Sequence, residues 1–228
     1  NIISTGGTAL YIKKLGIDVM NVEELTSYPS ILGGRVKTLH PKIFGGILNR
    51  KNNRDDEDEI LKYQIPKIDI VIVDLYPFQQ TVDSGASIND IIEKIDIGGI
   101  ALIRAAAKNY ESVVCVSNSN MYSTLLNLLS ENKGKFNIKE RKRFSAKAFE
   151  ISSSYDFLIS SYLSNKGSLK IYLNQELKLR YGENPHQAGF FYGNFDSIFK
   201  KHSGENLSYN NLLDIDAAIN LIKDLKKT

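Results

Sequence analysis

The stretch Gly33-Gly34-Arg35-Val36-Lys37-Thr38-Leu39-His40-Pro41 gathers the residue types that chemistry on an anionic molecule requires. Two adjacent glycines let the backbone bring its N–H groups close to a ligand, and a guanidinium, an ammonium and a hydroxyl follow them. Such donors suit a phosphate, or a carbonyl oxygen that is gaining negative charge. Three other stretches offer matching groups. In Ser4-Thr5-Gly6-Gly7-Thr8 a glycine pair between hydroxyl residues joins a short β-like piece to a helix, the layout of a phosphate cradle. The β-branched run over 68–73 delivers Asp74-Leu75-Tyr76-Pro77-Phe78 at its carboxyl end, where open α/β sheets place their ligands. Asp96-Ile97-Gly98-Gly99 stands before a helix over 100–109, on which Arg104 and Lys108 are four apart and share a face. Each of these is commonplace alone: a basic surface loop, a plain βα turn, a core tyrosine, a solvated helix face. Their weight comes from occurring together.

The elements that must position these groups alternate between the two periodicities. Residues 68–73 and 113–116 read as strands buried on both faces of a parallel sheet, and 17–22 as another strand. Ala9, Leu10, Ile12, Lys13 and Leu15 predict a short helix closed by Gly16, and 23–31 is irregular or briefly helical. The apolar segment 43–48, with Gly45-Gly46 inside it, reads as either helix or strand, and 49–59 as a charged surface segment. Ser87 and Asp90 form a capping-box pattern before Ile88, Ile91, Ile92 and Ile95 at helical spacing. A helix over 121–129 and a polar turn over 131–136 follow. From near Ile138, the residues Phe144, Ala148, Ile151, Tyr155, Leu158, Ile159 and Tyr162 hold a helical period, long enough to pack across the domain or against a partner subunit. Small polar residues over 164–168 read as a linker, 169–179 has β character, and 217–222 is helical, so a domain boundary is placed near 164–167.

Composition excludes several classes. With 228 residues, 42% hydrophobic and 24% charged, the chain is ordinary for a globular protein with a substantial core. Its 29 Lys and Arg against 26 Asp and Glu are mixed along the sequence with no basic stripe, which argues against nucleic acid as a partner. The apolar runs are strand length and interrupted by Asp74 or Arg104, so no membrane span is expected. The single cysteine, Cys115, reads as a core thiol in a reducing, cytoplasmic protein. The histidines, His40, His186 and His202, are far apart and no Cys/His cluster has metal spacing, so no metal site is expected. The chain opens inside what reads as the end of a strand and closes inside a helical pattern, so both ends are expected to be cut.

Taken together, the motifs resemble a known family. Ser4-Thr5-Gly6-Gly7-Thr8, the 33–41 stretch, Leu75-Tyr76-Pro77-Phe78, Ile95-Asp96-Ile97-Gly98-Gly99 and Arg104-Ala105-Ala106-Ala107-Lys108-Asn109 are similar to the inosine monophosphate (IMP) cyclohydrolase domain of the bifunctional purine biosynthesis family. Leu179-Arg180-Tyr181-Gly182-Glu183-Asn184-Pro185-His186-Gln187 and Leu207-Ser208-Tyr209-Asn210-Asn211-Leu212-Leu213-Asp214 are similar to the opening of its second domain, the aminoimidazole carboxamide ribotide (AICAR) formyltransferase. The resemblance implies a methylglyoxal-synthase-like, three-layer α/β domain with a mainly parallel sheet over 1–165, its first strand lying before Asn1. Residues 166–228 would then form a linker and the start of a second α/β domain. It further implies a cytoplasmic homodimer that closes the purine ring of a formamidoimidazole carboxamide ribotide, giving IMP and water. No cofactor is implied for that step, and 10-formyltetrahydrofolate is implied as co-substrate of the complete formyltransferase.

The same resemblance assigns roles. Lys37 would stabilise or protonate the formyl oxygen, Asp96 and Lys108 would relay protons as a pair, and Tyr76 would orient the reacting arms. Thr5, Gly6, Gly7, Thr8, Arg35 and Thr38 would bind the nucleotide, chiefly its phosphate. Arg180 and Tyr181 would serve the ribotide site of the formyltransferase, while Asn184 and His186 equally suit a local turn. Lys201-His202 precedes the Asn210-Asn211-Leu212-Leu213 motif and reads as a solvated loop, because the family's Lys-His pair lies beyond that motif. Asp74 departs from the family's usual Asn. With one wall of the phosphate site before Asn1, the activity of this stretch alone is left open. Two other functions share the fold. A nucleotide-sensing regulatory domain would have no need of Lys37, Tyr76, Asp96 and Lys108 together, and methylglyoxal synthase depends on a histidine that this chain lacks at the corresponding place.

Overall fold

The computed structural model describes residues 1–164 and 176–225. The chain divides into two compact units, Asn1–Gly167 and Ser168–Thr228, each described by itself.

The first unit begins with β1 (Ile3–Ser4), α1 (Gly6–Lys14) and β2 (Met20–Asn21). β1 and β2 pair in parallel, Ile3 opposite Met20. Gly16 ends the first turn-and-helix unit with φ +74, a left-handed conformation that an L side chain resists. The strand predicted over 17–22 is reduced to its last residues, because Val22 already opens α2 (Val22–Thr26) and buries its side chain in the core. α3 (Pro41–Leu48) resolves the ambiguity of the apolar segment in favour of helix: Pro41 fixes the first helical position, and His40 Nδ1 accepts from the Lys42 N–H at 3.1 Å. The histidine nearest the basic loop is therefore a helix cap. α4 (Arg54–Lys62) occupies the charged segment, capped by Asn53 accepting from the Asp56 N–H, with Ile60 its buried residue.

β3 (Ile70–Ile72), α5 (Phe78–Asp83), α6 (Ile88–Ile92), α7 (Gly98–Lys108), β4 (Val114–Val116), α8 (Tyr122–Glu131) and α9 (Ile138–Ser164) complete the unit. β3 and β4 pair in parallel with Ile70 opposite Val114, and the ladder continues in a Val73 N–H to Val116 carbonyl bond of 2.9 Å. Among the described residues the parallel pairing comes as two separate ladders. Ser87 caps α6 as expected, accepting from the Asp90 N–H and donating to its carboxylate at 2.7 Å. That helix is shorter than the apolar spacing predicts; it stops at Ile92, and only Ile91 of its isoleucines is buried.

The centre of the unit is α7, which packs against α3, α9, β3 and β4. Its Ile103 and Ala105, Ala106 and Ala107 are buried with Val71, Val113, Cys115 and Ala148 in one cluster. Covering a side chain such as Ile103 contributes about 1.5–3 kcal/mol, while the alanines allow the backbones to approach closely. Cys115 is buried as expected, its thiol pushed up to about 12 by desolvation. The residues of α9 at helical spacing, Phe144, Ala148 and Tyr155, are buried along the domain.

In the second unit β5 (Glu176–Lys178) pairs antiparallel with β6 (Phe190–Tyr192), followed by α10 (Phe195–Ile198) and α11 (Tyr209–Leu225). Of the segment expected to be β over 169–179, the part before Glu176 lies outside the described residues. Ser208 caps α11, its hydroxyl bonded to Asn211 Oδ1 at 2.9 Å. No helix among the described residues is long and apolar enough to cross a membrane.

Candidate functional site

Three loops converge at the N-terminus of α7. The first is the basic stretch. Leu32, Gly33 and Gly34 all adopt positive φ, a left-handed run that folds residues 31–36 back on themselves, with Ile31 and Val36 bridged. Arg35 therefore sits in the turn itself, and Lys37 and Thr38 on the limb that leaves it. The Lys37 side chain lies along the turn, its Nζ 3.4 Å from where a Cβ on Gly34 would stand, close to Ser30. Thr38 reaches α7: its Oγ1 is 3.0 Å from the position of a Cβ on Gly98. Arg35 forms an exposed ion pair with Glu93, which holds its guanidinium above the ordinary arginine value through hydrogen bond and charge.

The second loop follows β3. Tyr76 is half exposed at the carboxyl end of that strand, and the Phe78 N–H bonded to the Tyr76 carbonyl at 2.8 Å makes the turn tight. Phe78 is buried behind it among Ile91 and Tyr155. Two residues before Tyr76, Asp74 accepts a hydrogen bond from the Tyr122 hydroxyl. Desolvation and this carboxylate push the Tyr122 phenol up to about 12.

The third loop, residues 93–97, leads into α7. The Asp96 carboxylate accepts from the Gly99 N–H at 2.6 Å, so it caps the helix, and a Cβ on Gly99 would stand 2.5 Å from its Oδ2. A side chain at residue 99 would thus displace the carboxylate. The Asp96 N–H donates in turn to the Tyr155 hydroxyl at 2.8 Å, and that hydroxyl donates to the Lys94 carbonyl at 2.7 Å. Lys94 Nζ lies 5.7 Å from the centre of the Tyr76 ring, bringing the second and third loops together.

Of the residues singled out from sequence, Lys37, Thr38, Arg35, Tyr76 and Asp96 belong to these converging loops. Thr5, Gly6, Gly7 and Thr8 form the β1-to-α1 turn, with Gly6 at φ +43 and both glycines exposed. Lys108 does not join Asp96. The carboxylate stands at the first turn of α7 and the ammonium at its last, so the helix separates them by roughly 15 Å, and the expected pair does not form within one chain. Arg104, on the face shared with Lys108, is tied to α9 by a 3.2 Å bond to Ser152 and stacking on Phe149. In the second unit Arg180 pairs with Glu205 at 2.5 Å and lies over the Tyr181 ring, and the Lys201 ammonium bonds the Glu205 carbonyl. Asn184 and Gln187 close the local turn.

Sequence reasoning missed Glu93, Lys94 and Tyr155. The first two sit in an ordinary charged loop, and only their neighbourhood with Asp96 offered a signal. Tyr155 carried none, because its partners lie about sixty residues away.

Comparison with known proteins identifies the family. Residues 1–101 match the MGS-like domain family, and residues 106–228 match the AICARFT/IMPCHase bienzyme family. The bifunctional purine biosynthesis protein PurH of Bacteroides thetaiotaomicron is 56% identical over 224 residues, covering 97% of this chain and 44% of that protein. PurH of Bradyrhizobium diazoefficiens is 43% identical, covering 100% of this chain and 45% of that protein, and PurH of Persephonella marina is 41% identical, covering 100% and 47%. This chain therefore spans less than half the length of these relatives. The crystal structure of ForH superposes with a TM-score of 0.59 at 32% identity, covering 74% of this chain and 87% of that one. The fold with its parallel ladders, the glycine-bearing loops and both matches agree that the chain belongs to the AICARFT/IMPCHase bienzyme family.

Proposed function

We propose that the site at the N-terminus of α7 closes the purine ring of formamidoimidazole carboxamide ribotide, releasing IMP and water. The observation that carries this reading is the meeting of the basic hairpin, the Tyr76 turn and the Asp96 loop at one helix end. The carboxamide nitrogen is a weak nucleophile and must form a bond to the formyl carbon. Negative charge then builds on the formyl oxygen, and Lys37 stabilises or protonates it. Asp96 takes the proton lost by the attacking nitrogen. The former formamide nitrogen then gives up its own proton as its C=N bond forms and the carbinol C–O bond breaks. The oxygen leaves as water carrying two protons, matching the two that the nitrogens gave up. Tyr76 holds the two arms of the one substrate in closing geometry, a contribution that intramolecular reactions make large. Thr5, Gly6, Gly7, Thr8, Arg35 and Thr38 bind the ribotide phosphate, which competes with Glu93 for Arg35.

Lys108 keeps its assigned part in the relay only from a second copy of the chain, and the homodimer belongs to the same proposal. The complete protein, in the cytoplasm, would also transfer a formyl group from 10-formyltetrahydrofolate to AICAR. Arg180 and Tyr181 would contribute to that ribotide site.

Ultraviolet absorbance during incubation of the full-length protein with the formylated ribotide tests the reading. Lys37→Ala should slow IMP formation by about a hundredfold or more, in line with loss of a group that stabilises a developing oxyanion. Turnover within about threefold of the unaltered protein removes the catalytic role of Lys37. Ribotide binding without any turnover by the unaltered protein overturns the reading in favour of a nucleotide-sensing module.

A further inference from the structure

Tyr155 of α9 bonds the loop that carries Asp96 and packs on Phe78, just beyond the Tyr76 turn. It is 7% exposed, and its hydroxyl uses its hydrogen bonds on the backbone of a single loop: it accepts from the Asp96 N–H and donates to the Lys94 carbonyl. Its ring meets Phe78 edge-on at 6.3 Å, two residues beyond Tyr76, and Phe78 is closed from the other side by Tyr162 at 5.8 Å. The phenol is raised above the ordinary tyrosine value, chiefly by desolvation, which keeps it protonated and the bond to Lys94 in place.

Packing alone does not require a tyrosine here, since phenylalanine fills the same volume against Phe78 and Ile91. What the oxygen adds is a fixed distance between α9 and the backbone just before α7. That backbone carries the Asp96 carboxylate, which is itself fastened to Gly99.

We propose that Tyr155 is a positioning residue for the ring closure: its hydroxyl fixes the 94–96 backbone, and with it the Asp96 carboxylate, relative to the Tyr76 turn that its ring supports through Phe78. The inference rests on the reading of Asp96 and Tyr76 given above. A loop that drifts by a fraction of an ångström binds ribotide as before but holds the base away from its proton, so the effect falls on turnover and spares binding.

Steady-state kinetics of the full-length protein at 20 °C, with Tyr155→Phe beside Asp96→Asn, test it. Circular dichroism at the assay temperature measures the folded fraction. The expected result for Tyr155→Phe is a fall in kcat of about five- to twentyfold, KM within about twofold, and a fully folded protein. A kcat within about 1.5-fold of the unaltered enzyme overturns the proposal, as does a loss that only tracks the unfolded fraction, or one that appears in KM with kcat unchanged. Unchanged turnover in Asp96→Asn sinks the underlying reading of the site and this inference with it. Collapsed turnover in Asp96→Asn with a fully active Tyr155→Phe sinks the role of Tyr155 alone.

Discussion

The two ends of α7 are built on different principles. At its C-terminus Asn109 donates to the carbonyls of Ile47 and Asn49, at 2.8 and 2.7 Å, while the Asn49 amide returns to the Gly46 carbonyl at 2.5 Å. Ser112 accepts from the Lys51 N–H beside them. These are neutral amides and hydroxyls closing the last turn against α3, and their work is stability. At its N-terminus the helix is capped by a carboxylate and faced by a threonine hydroxyl, and the loop leading into it carries Glu93, paired with Arg35, and Lys94, set against the half-exposed Tyr76. Lys108 apart, whose proposed part is played in a second copy of the chain, substitutions at Gly99 and Asn109 should therefore separate into effects on turnover and effects on stability.

The sharpest break of that contrast is Gly99→Ala. The new methyl cannot share space with the Asp96 carboxylate. Turnover of the full-length protein should drop roughly tenfold, equivalent to about 1.4 kcal/mol of barrier, while the melting temperature changes little because alanine favours helix. A normal kcat would show that the carboxylate has no fixed place to lose. At the other end, Asn109→Ala orphans two carbonyls and should destabilise by about 1–3 kcal/mol, lowering Tm by roughly 2–10 °C with kcat unchanged in the folded protein. Thermal denaturation followed by circular dichroism measures the first, and the ribotide assay the second. The smallest effect concerns Asp56, which Arg50, next to this clasp, holds down to about 2 from an ordinary 3.8. A lowered carboxylate favours the folded state above the unfolded value, and that contribution disappears as pH falls through about 2. Arg50→Ala should return the Asp56 titration, followed by carboxyl carbon NMR, toward 3.8.

The legible parts of this molecule are those whose cause is local. The β-branched run at 70–72, the Ser87 cap and the long period of α9 rest on neighbours a few residues away. So does the turn before Arg35, where the positive φ of Gly33 and Gly34 favours the glycines that the sequence supplies, although Leu32 takes the same conformation without that help. α3 was ambiguous because its glycines answer to distant atoms: Ile65 lies against Gly45, and the Pro66 carbonyl and Ile68 lie against Gly46. Nothing within 41–48 records that approach. α4 hid behind its charges, although Asn53 and the acidic residues after it were a start signal. Asp96 stands just before α7 and Lys108 is its last residue, so a pairing between them calls for a second copy of the chain, which local spacing does not reveal. The chemistry-bearing residues were visible as types, whereas Tyr155, which ties their loops together, looked like any other member of an apolar stripe.

Between the two ends stand Ala105, Ala106 and Ala107, the last two wholly buried. Having no rotamers, they surrender no side-chain freedom when the chain folds, and they hold no slack afterwards. The spacing of α7 from its neighbours is therefore a backbone dimension, and any larger residue here would shift the helix as a rigid rod. These positions answer to the other end of the helix: three methyl groups set where the Asp96 carboxylate, about three turns away, will stand.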